Sequence, residues 1–224
     1  MTGIKYLIFD LDGTLIDSSR GVVEAVNYSL RKMGQPPQTA EAIRPFIGYS
    51  LDEMYPHFTD VPYSELLAHF RVKAAETIVA STEMLPGVGK TLATLHAIGY
   101  TMAIATTKIR PNVEGILDKL NWRHLFAAYV TGDEVRNVKP DPEALRLALK
   151  RLGAQPDGAI MIGDTINDVL AAKAVPIPVV AIASPFVDER QKVIACKPDF
   201  YIESITELPG LLDEYNHRHE GNKT

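Results

Sequence analysis

Short apolar runs of strand length recur at residues 4–9, 100–105, 127–131, 159–162, 179–183 and 200–202. Between the later runs the apolar positions switch to helical spacing, over 88–97, 113–120, 142–152, 166–174 and 205–212. Several of these segments open near Pro, Asp or Thr, as helices do. Nearly continuous apolar strands alternating with helices of this length predict an α/β fold, a parallel sheet covered on both faces and joined by right-handed crossovers. One interval breaks the rhythm. From residue 10 to residue 100 no strand is predicted, although a crossover needs only about a dozen residues, and the pattern is helical throughout. Ser18 or Ser19 caps a helix running to Met33, Gly34-Gln35-Pro36-Pro37 ends it, Thr39 starts a second, and Ser50 and Ser64 precede two more. Residues 17–83 therefore read as a helical insertion with its own small core. Residues 1–16 and 84–224 form the α/β domain, with Met84-Leu85-Pro86-Gly87 marking the return.

Composition narrows the class. The 224 residues are 46% hydrophobic and 23% charged with a net charge of −5, ordinary values for a globular chain. No Lys/Arg run stands out, which speaks against nucleic-acid binding. No stretch approaches the roughly 20 apolar residues that span a bilayer, and residues 1–9 do not read as a signal peptide, so a cytoplasmic setting without membrane attachment is expected. A single cysteine, Cys196, excludes an intramolecular disulfide and a cysteine-cluster metal site, and reads as a small apolar residue near a helix end. Residues 217–224, with two histidines, are expected to form a mobile end.

The chemistry begins where the first predicted strand stops. Ile4-Lys5-Tyr6-Leu7-Ile8-Phe9 runs directly into Asp10-Leu11-Asp12-Gly13-Thr14. Ligands gather at the carboxyl ends of strands in open α/β sheets. Two crowded carboxylates there repel, and a divalent cation or a shared proton offsets the repulsion. Taken alone the same letters also suit a solvated turn. A calcium EF-hand is poorly matched, because no acid occupies the third ligand position and a strand precedes.

Three further strand ends carry polar groups. Thr106-Thr107-Lys108 follows residues 102–105, with hydroxyls and backbone N–H groups suited to anionic oxygens. Lys139-Pro140-Asp141-Pro142 places a lysine before a Pro-started helix, and Gly163-Asp164-Thr165-Ile166-Asn167-Asp168 is a second pair of acids after a strand. Each has an ordinary alternative: a capped turn for Thr106, a solvated surface for Lys139, an N-cap for Asp164 with Asp168 favouring the helix start. Their repetition at one end of one predicted sheet favours a shared site.

In this order, DLDGT, Thr106, Lys139 and the GDTxxD of 163–168 resemble the four motifs of the haloacid dehalogenase superfamily, across essentially the whole chain. The helical insertion after the first motif resembles that family's C1 cap. Phe46-Ile47-Gly48 is similar to the cap loop of its phosphoglycolate phosphatase-like and pyrophosphatase-like members. The resemblance implies a Rossmann-like parallel-sheet core with an inserted all-helical cap, and a magnesium-dependent phosphatase acting on a small phosphorylated metabolite. Asp10 would attack phosphorus to form an aspartyl-phosphate. Asp12 would protonate the leaving oxygen and later deprotonate water. Asp10, the Asp12 backbone carbonyl and Asp164 would hold Mg2+, supported by Asp168. Thr106, Thr107 and Lys139 would bind phosphoryl oxygens, with Thr106 and Lys139 stabilising transition-state charge.

Thr107 stands where relatives often carry Asn or Gly. Arg20, Arg44 and Tyr49 are candidate cap contacts. A dehalogenase is disfavoured because its relatives lack the acid of Asp12. A β-phosphoglucomutase shares the core motifs but resembles its kin in a histidine early in the first cap helix and an arginine after the cap-loop glycine; here those places hold Ser18-Ser19-Arg20 and Tyr49. A non-catalytic regulator, binding a phosphorylated ligand or itself phosphorylated on Asp10, is the remaining alternative, opposed by the intact Asp12.

Overall fold

The computed structural model describes residues 3–186, 188 and 190–220. The chain opens on β1 (Tyr6–Phe9) and a two-residue strand, β2 (Ile16–Asp17), then runs through α1 (Ser19–Lys32), α2 (Ala40–Ile43), α3 (Leu51–Met54) and α4 (Tyr63–Ser81) to a second short strand, β3 (Glu83–Met84). Beyond it follow α5 (Val88–Ala97), β4 (Thr101–Ala105), α6 (Arg110–Lys119), β5 (Phe126–Val130), α7 (Glu143–Leu152), β6 (Ala159–Gly163), α8 (Ile166–Ala174), β7 (Val179–Ile182), α9 (Arg190–Ala195), β8 (Phe200–Ile202) and α10 (Leu208–Glu220).

Among the described residues six strands form one sheet in the order β5-β4-β1-β6-β7-β8, every pairing parallel. Alternation along each strand sends successive side chains to opposite faces. Leu7, Phe9, Ile104, Ile160 and Ile162 join the apolar cluster on one face, with Leu92, Ile116 and Leu212 from the helices over it. Ile8, Ala105, Met161 and Val179 join the other, under Leu145 and Val169. The chain leaves β1 toward β4 on one side and later sets β6 on its other side, so the order reverses beside β1. Such a reversal opens a crevice at the carboxyl ends of the strands.

Between β2 and β3 the described chain is helical, as the pattern predicts. On α1, Val22, Ala25, Val26, Ser29 and Leu30 are buried, and on α4 Leu66, Phe70, Ala74 and Ile78 are, so the two long helices pack face to face. A β-carbon on Gly21 would stand 2.7 Å from the Ile78 Cα, which shows how closely they approach. Their apolar residues are continuous with the cluster on the sheet face rather than forming the separate core expected for 17–83.

Four other expectations are corrected. Residues 10–100 do contain strand: Ile16 pairs with Met84 and Asp17 with Glu83 in an antiparallel ribbon, too short to show as a sequence period. Ser18 precedes α1 but does not cap it; Asp17 Oδ1 accepts from Ser19 N at 2.7 Å instead. Ser64 lies inside the first turn of α4, which Pro62 precedes. Finally, α10 carries the chain through His217 and His219, so only 221–224 of the expected mobile end lie outside the described residues. No helix among the described residues is long and apolar enough to cross a membrane.

Candidate active site

The ends of β1, β4 and β6, side by side in the sheet, place Asp10, Thr106 and Asp164 together, and the loop after β5 brings in Lys139. Asp10 N donates to Ile162 O at 2.8 Å, tying the loop after β1 to β6 as the two strands part. Gly13 turns that loop at a φ of +83°, and a β-carbon there would meet Asp164 Oδ2 at 2.2 Å, so both the backbone and the crowding require glycine. Thr14 Oγ1 then donates to Asp164 Oδ1 at 3.0 Å.

Lys139 is buried and reaches two carboxylates, Asp10 Oδ1 at 2.6 Å and Asp168 Oδ1 at 2.5 Å. The second oxygen of Asp168 accepts from Thr165 N at 3.0 Å and from Thr165 Oγ1 at 2.7 Å, closing a capping box on α8. The N-cap is therefore Thr165, not Asp164, and Asp168 both starts the helix and holds the lysine. Ligand oxygens of Asp10, Asp164 and Asp168 lie within 4.8 Å of one another. Burial pushes the Asp10 carboxyl up to about 7; the pull of Lys139 does not outweigh it, and the charges of Asp168 and Asp12 raise it further. Burial, then Asp10 and Asp168, hold Asp164 well above the usual carboxylate range against hydrogen bonds from Ser184 and Thr14. The two acids beside Lys139 outweigh its own burial and hold its ammonium up.

One lysine among three buried carboxylates leaves negative charge uncompensated. Among the described residues Asp10 Oδ2 and Asp164 Oδ2 are buried with no hydrogen-bond partner, and the atoms available to a cation are all oxygen. That set fits a hard divalent cation of the Mg2+ type.

Asp12 points elsewhere. Its Oδ1 accepts a hydrogen bond from Ser18 Oγ, and its Oδ2 lies 3.1 Å from Lys108 Nζ, which also donates to Ser18 Oγ at 3.2 Å. Thr106 is buried, with its Oγ1 accepting from Lys108 N at 3.1 Å. Thr107 does not turn its hydroxyl toward these groups; it donates to Gly48 O at 3.1 Å. A cavity of about 500 Å³ opens between the helical segment and the sheet, with Asp12, Thr107, Lys108 and Lys139 on its inner wall and Gly48, Tyr49 and Arg71 on the other. Arg20 and Arg44 are exposed and line no part of it.

Sequence reasoning passed over Lys108 and Ser18. Both stand inside segments already singled out, Lys108 two residues after Thr106 and Ser18 where a helix cap was expected. Pairing of Asp12 with both is long-range for Lys108 and leaves no periodic trace. Asn167, buried with an unpartnered Nδ2, was also unassigned.

Residues 7–182 match the family model for haloacid dehalogenase-like hydrolases. The chain is 33% identical over 205 residues to pyrophosphatase PpaX of Bacillus velezensis, covering 92% of this chain and 94% of that one. It is 30% identical to phosphoglycolate phosphatase of Salmonella typhimurium, covering 93% and 92%. Among solved structures, a haloacid dehalogenase-like family hydrolase from Streptococcus pneumoniae superposes with a TM-score of 0.85 at 27% identity, over 94% of this chain and 99% of that one. The chain belongs to the haloacid dehalogenase-like hydrolase family and falls among its phosphatases.

Proposed function

We propose that this phosphatase is magnesium-dependent and hydrolyses a small phosphorylated metabolite, a phosphoglycolate-like monoester or inorganic pyrophosphate, through an aspartyl-phosphate on Asp10. The observation that carries the reading is the division of labour between the first two acids. Asp10 has one oxygen held by Lys139 and one unpartnered beside Asp164, while Asp12 lies apart on the cavity wall. An unpartnered carboxylate oxygen is what attack on phosphorus requires: the Asp10 oxygen bonds to phosphorus as the bond to the leaving oxygen breaks. Asp12, on the cavity side, gives that oxygen its proton and then takes one from the water that releases phosphate. Lys139 fixes Asp10 and, with Thr106, faces the charge on the phosphoryl oxygens. Asp10, Asp164 and the Asp12 carbonyl would hold Mg2+, supported by Asp168; when bound, the ion neutralises phosphoryl charge and draws substrate and nucleophile together.

Residues 17–83 act in this reading as a cap over the site, with the β2–β3 ribbon as the paired strands by which the chain leaves and re-enters the core. Relatives named for pyrophosphate and for phosphoglycolate support the substrate range.

Phosphate release from a panel of 2-phosphoglycolate, pyrophosphate, sugar phosphates and nucleoside monophosphates, with Mg2+ and with chelator, tests the reading. Turnover of at least one anionic small ester, lost in chelator and reduced more than about 10³-fold in Asp10→Asn, is expected. Silence across the panel, or wild-type rates in Asp10→Asn, would overturn it.

A further inference from the structure

Lys108 is a cation the hydrolytic steps above do not use. Its side chain is 7% exposed and lines the cavity beside Asp12. An ammonium has three protons to donate. One goes to Asp12 Oδ2 and one to Ser18 Oγ; the third has no acceptor among the described residues. The cavity leaves that donor open to whatever fills it, and an anionic oxygen of a bound molecule is a stronger acceptor there than water.

Geometry says what that group is attached to. If Asp12 protonates the leaving oxygen, that oxygen docks against the Asp12 carboxylate, and Lys108 Nζ stands 3.1 Å from the same carboxylate. A substituent one or two bonds beyond the leaving oxygen therefore falls beside Lys108. The rest of the cavity wall carries both signs, with Arg71 and Arg136 beside Asp52, Glu53 and Asp133. Neither guanidinium is in an ion pair among the described residues. Two of the acids there are engaged locally: Glu53 Oε2 accepts from Ser50 N at 3.1 Å, and Asp133 Oδ1 from Arg110 N at 2.9 Å.

We propose that Lys108 recognises an anionic substituent on the leaving group, so that the substrates are phosphate esters or anhydrides whose leaving group carries a carboxylate or phosphoryl group within about two bonds of the scissile oxygen. The inference rests on the phosphatase reading and assigns its specificity to a residue on the core side of the cavity, not to the cap. Lys108 binds the incoming anion with its free donor and so sets the leaving oxygen against Asp12. A neutral leaving group offers that donor no charge.

The test compares kcat/KM for 2-phosphoglycolate with that for its neutral isostere 2-phosphoglycolamide in the wild type, Lys108→Met and Lys108→Arg. A charged hydrogen bond of ordinary strength predicts a wild-type preference of about 10- to 100-fold for the anionic member of the pair, collapsing in Lys108→Met and retained in Lys108→Arg. Equal rates for both members in the wild type overturn the inference while leaving the phosphatase intact. A preference that survives Lys108→Met overturns the assignment to this residue. An equal loss on charged and neutral esters in Lys108→Met also overturns it, because that result reduces Lys108 to a prop for Asp12. Absence of turnover on both compounds and across the panel above overturns the phosphatase reading, and this inference with it.

Discussion

At Gly13 a β-carbon would stand 2.2 Å from Asp164 Oδ2, at a backbone φ of +83° that side chains rarely adopt. The missing side chain lets the first acidic loop lie on the second, so the spacing of Asp10 and Asp164 is set by a residue with no chemistry of its own. In Gly13→Ala the strained φ alone costs about 1–2 kcal/mol, and the contact adds to it unless Asp164 moves. Urea unfolding is expected to show a loss of at least about 2 kcal/mol, with phosphate release falling in parallel because Asp164 is displaced. A variant with wild-type midpoint and rate would mean that the two loops do not meet as described. The same crowding explains Asp168, whose two oxygens serve a lysine and a helix start at once. A neutral replacement takes from Lys139 one of its two carboxylates and from Thr165 the acceptor of its N–H and hydroxyl, and so carries a cost.

Strand ends explain why much of this site was legible before any coordinates. Asp10, Thr106 and Asp164 each follow an apolar run whose length and composition announce a buried parallel strand, and adjacency in the sheet then follows from the order in which strands lie. Lys139 was legible by its place before a Pro-started helix, though not its double ion pair with Asp10 and Asp168. What stayed hidden depends on contacts distant in sequence: the ribbon joining Ile16 to Met84, the bond from Thr107 to Gly48, and the grip of Lys108 on Asp12. Ser18 misled because serine before a helix is ordinarily a cap, whereas a buried carboxylate six residues earlier is the stronger acceptor for its hydroxyl.

The end of α4 shows the same hidden layer. Its last carbonyls have no partners within the helix, and Lys119 from α6 supplies them, donating to Val79 O at 3.1 Å, Ala80 O at 2.7 Å and Thr82 O at 2.8 Å. This one side chain fastens the exit of the helical segment to the sheet domain. Lys119→Met keeps the stem and loses the donors; because the site is solvent-exposed, a loss of about 1 kcal/mol is expected in urea unfolding, with kcat unchanged if the anchor is only structural. A change below a few tenths of a kcal/mol would show that water serves those carbonyls equally well.

Across the whole molecule, the sheet gathers negative charge at one point and surrounds it with apolar layers, so the site is held together against its own repulsion. Asp10 is pushed up to about 7 and Asp164 well above its ordinary value, both chiefly by burial. A carboxyl raised in the folded state keeps a proton that the unfolded chain has already released, so between about pH 4 and pH 7 the native state binds more protons and stability falls as pH rises. Carboxyls with the opposite shift, such as Glu134, lowered to about 2 by Arg151 and Arg110, gain their contribution at lower pH and are essentially fully ionised by about pH 5. The interval from about pH 5 to about pH 8 therefore isolates the strain of the acidic site. In chelator, the thermal midpoint is expected to drop across that interval. Excess Mg2+ should raise it more at the upper end than at the lower, because a cation binds the deprotonated carboxylates and competes with protons for them. Asp10→Asn removes one of the raised carboxyls and should flatten the metal-free slope. If instead the midpoint is level from about pH 5 to about pH 8 and indifferent to Mg2+ at both ends, the buried acids are not charged against one another in the native protein, and the proposed metal site loses its electrostatic reason for being.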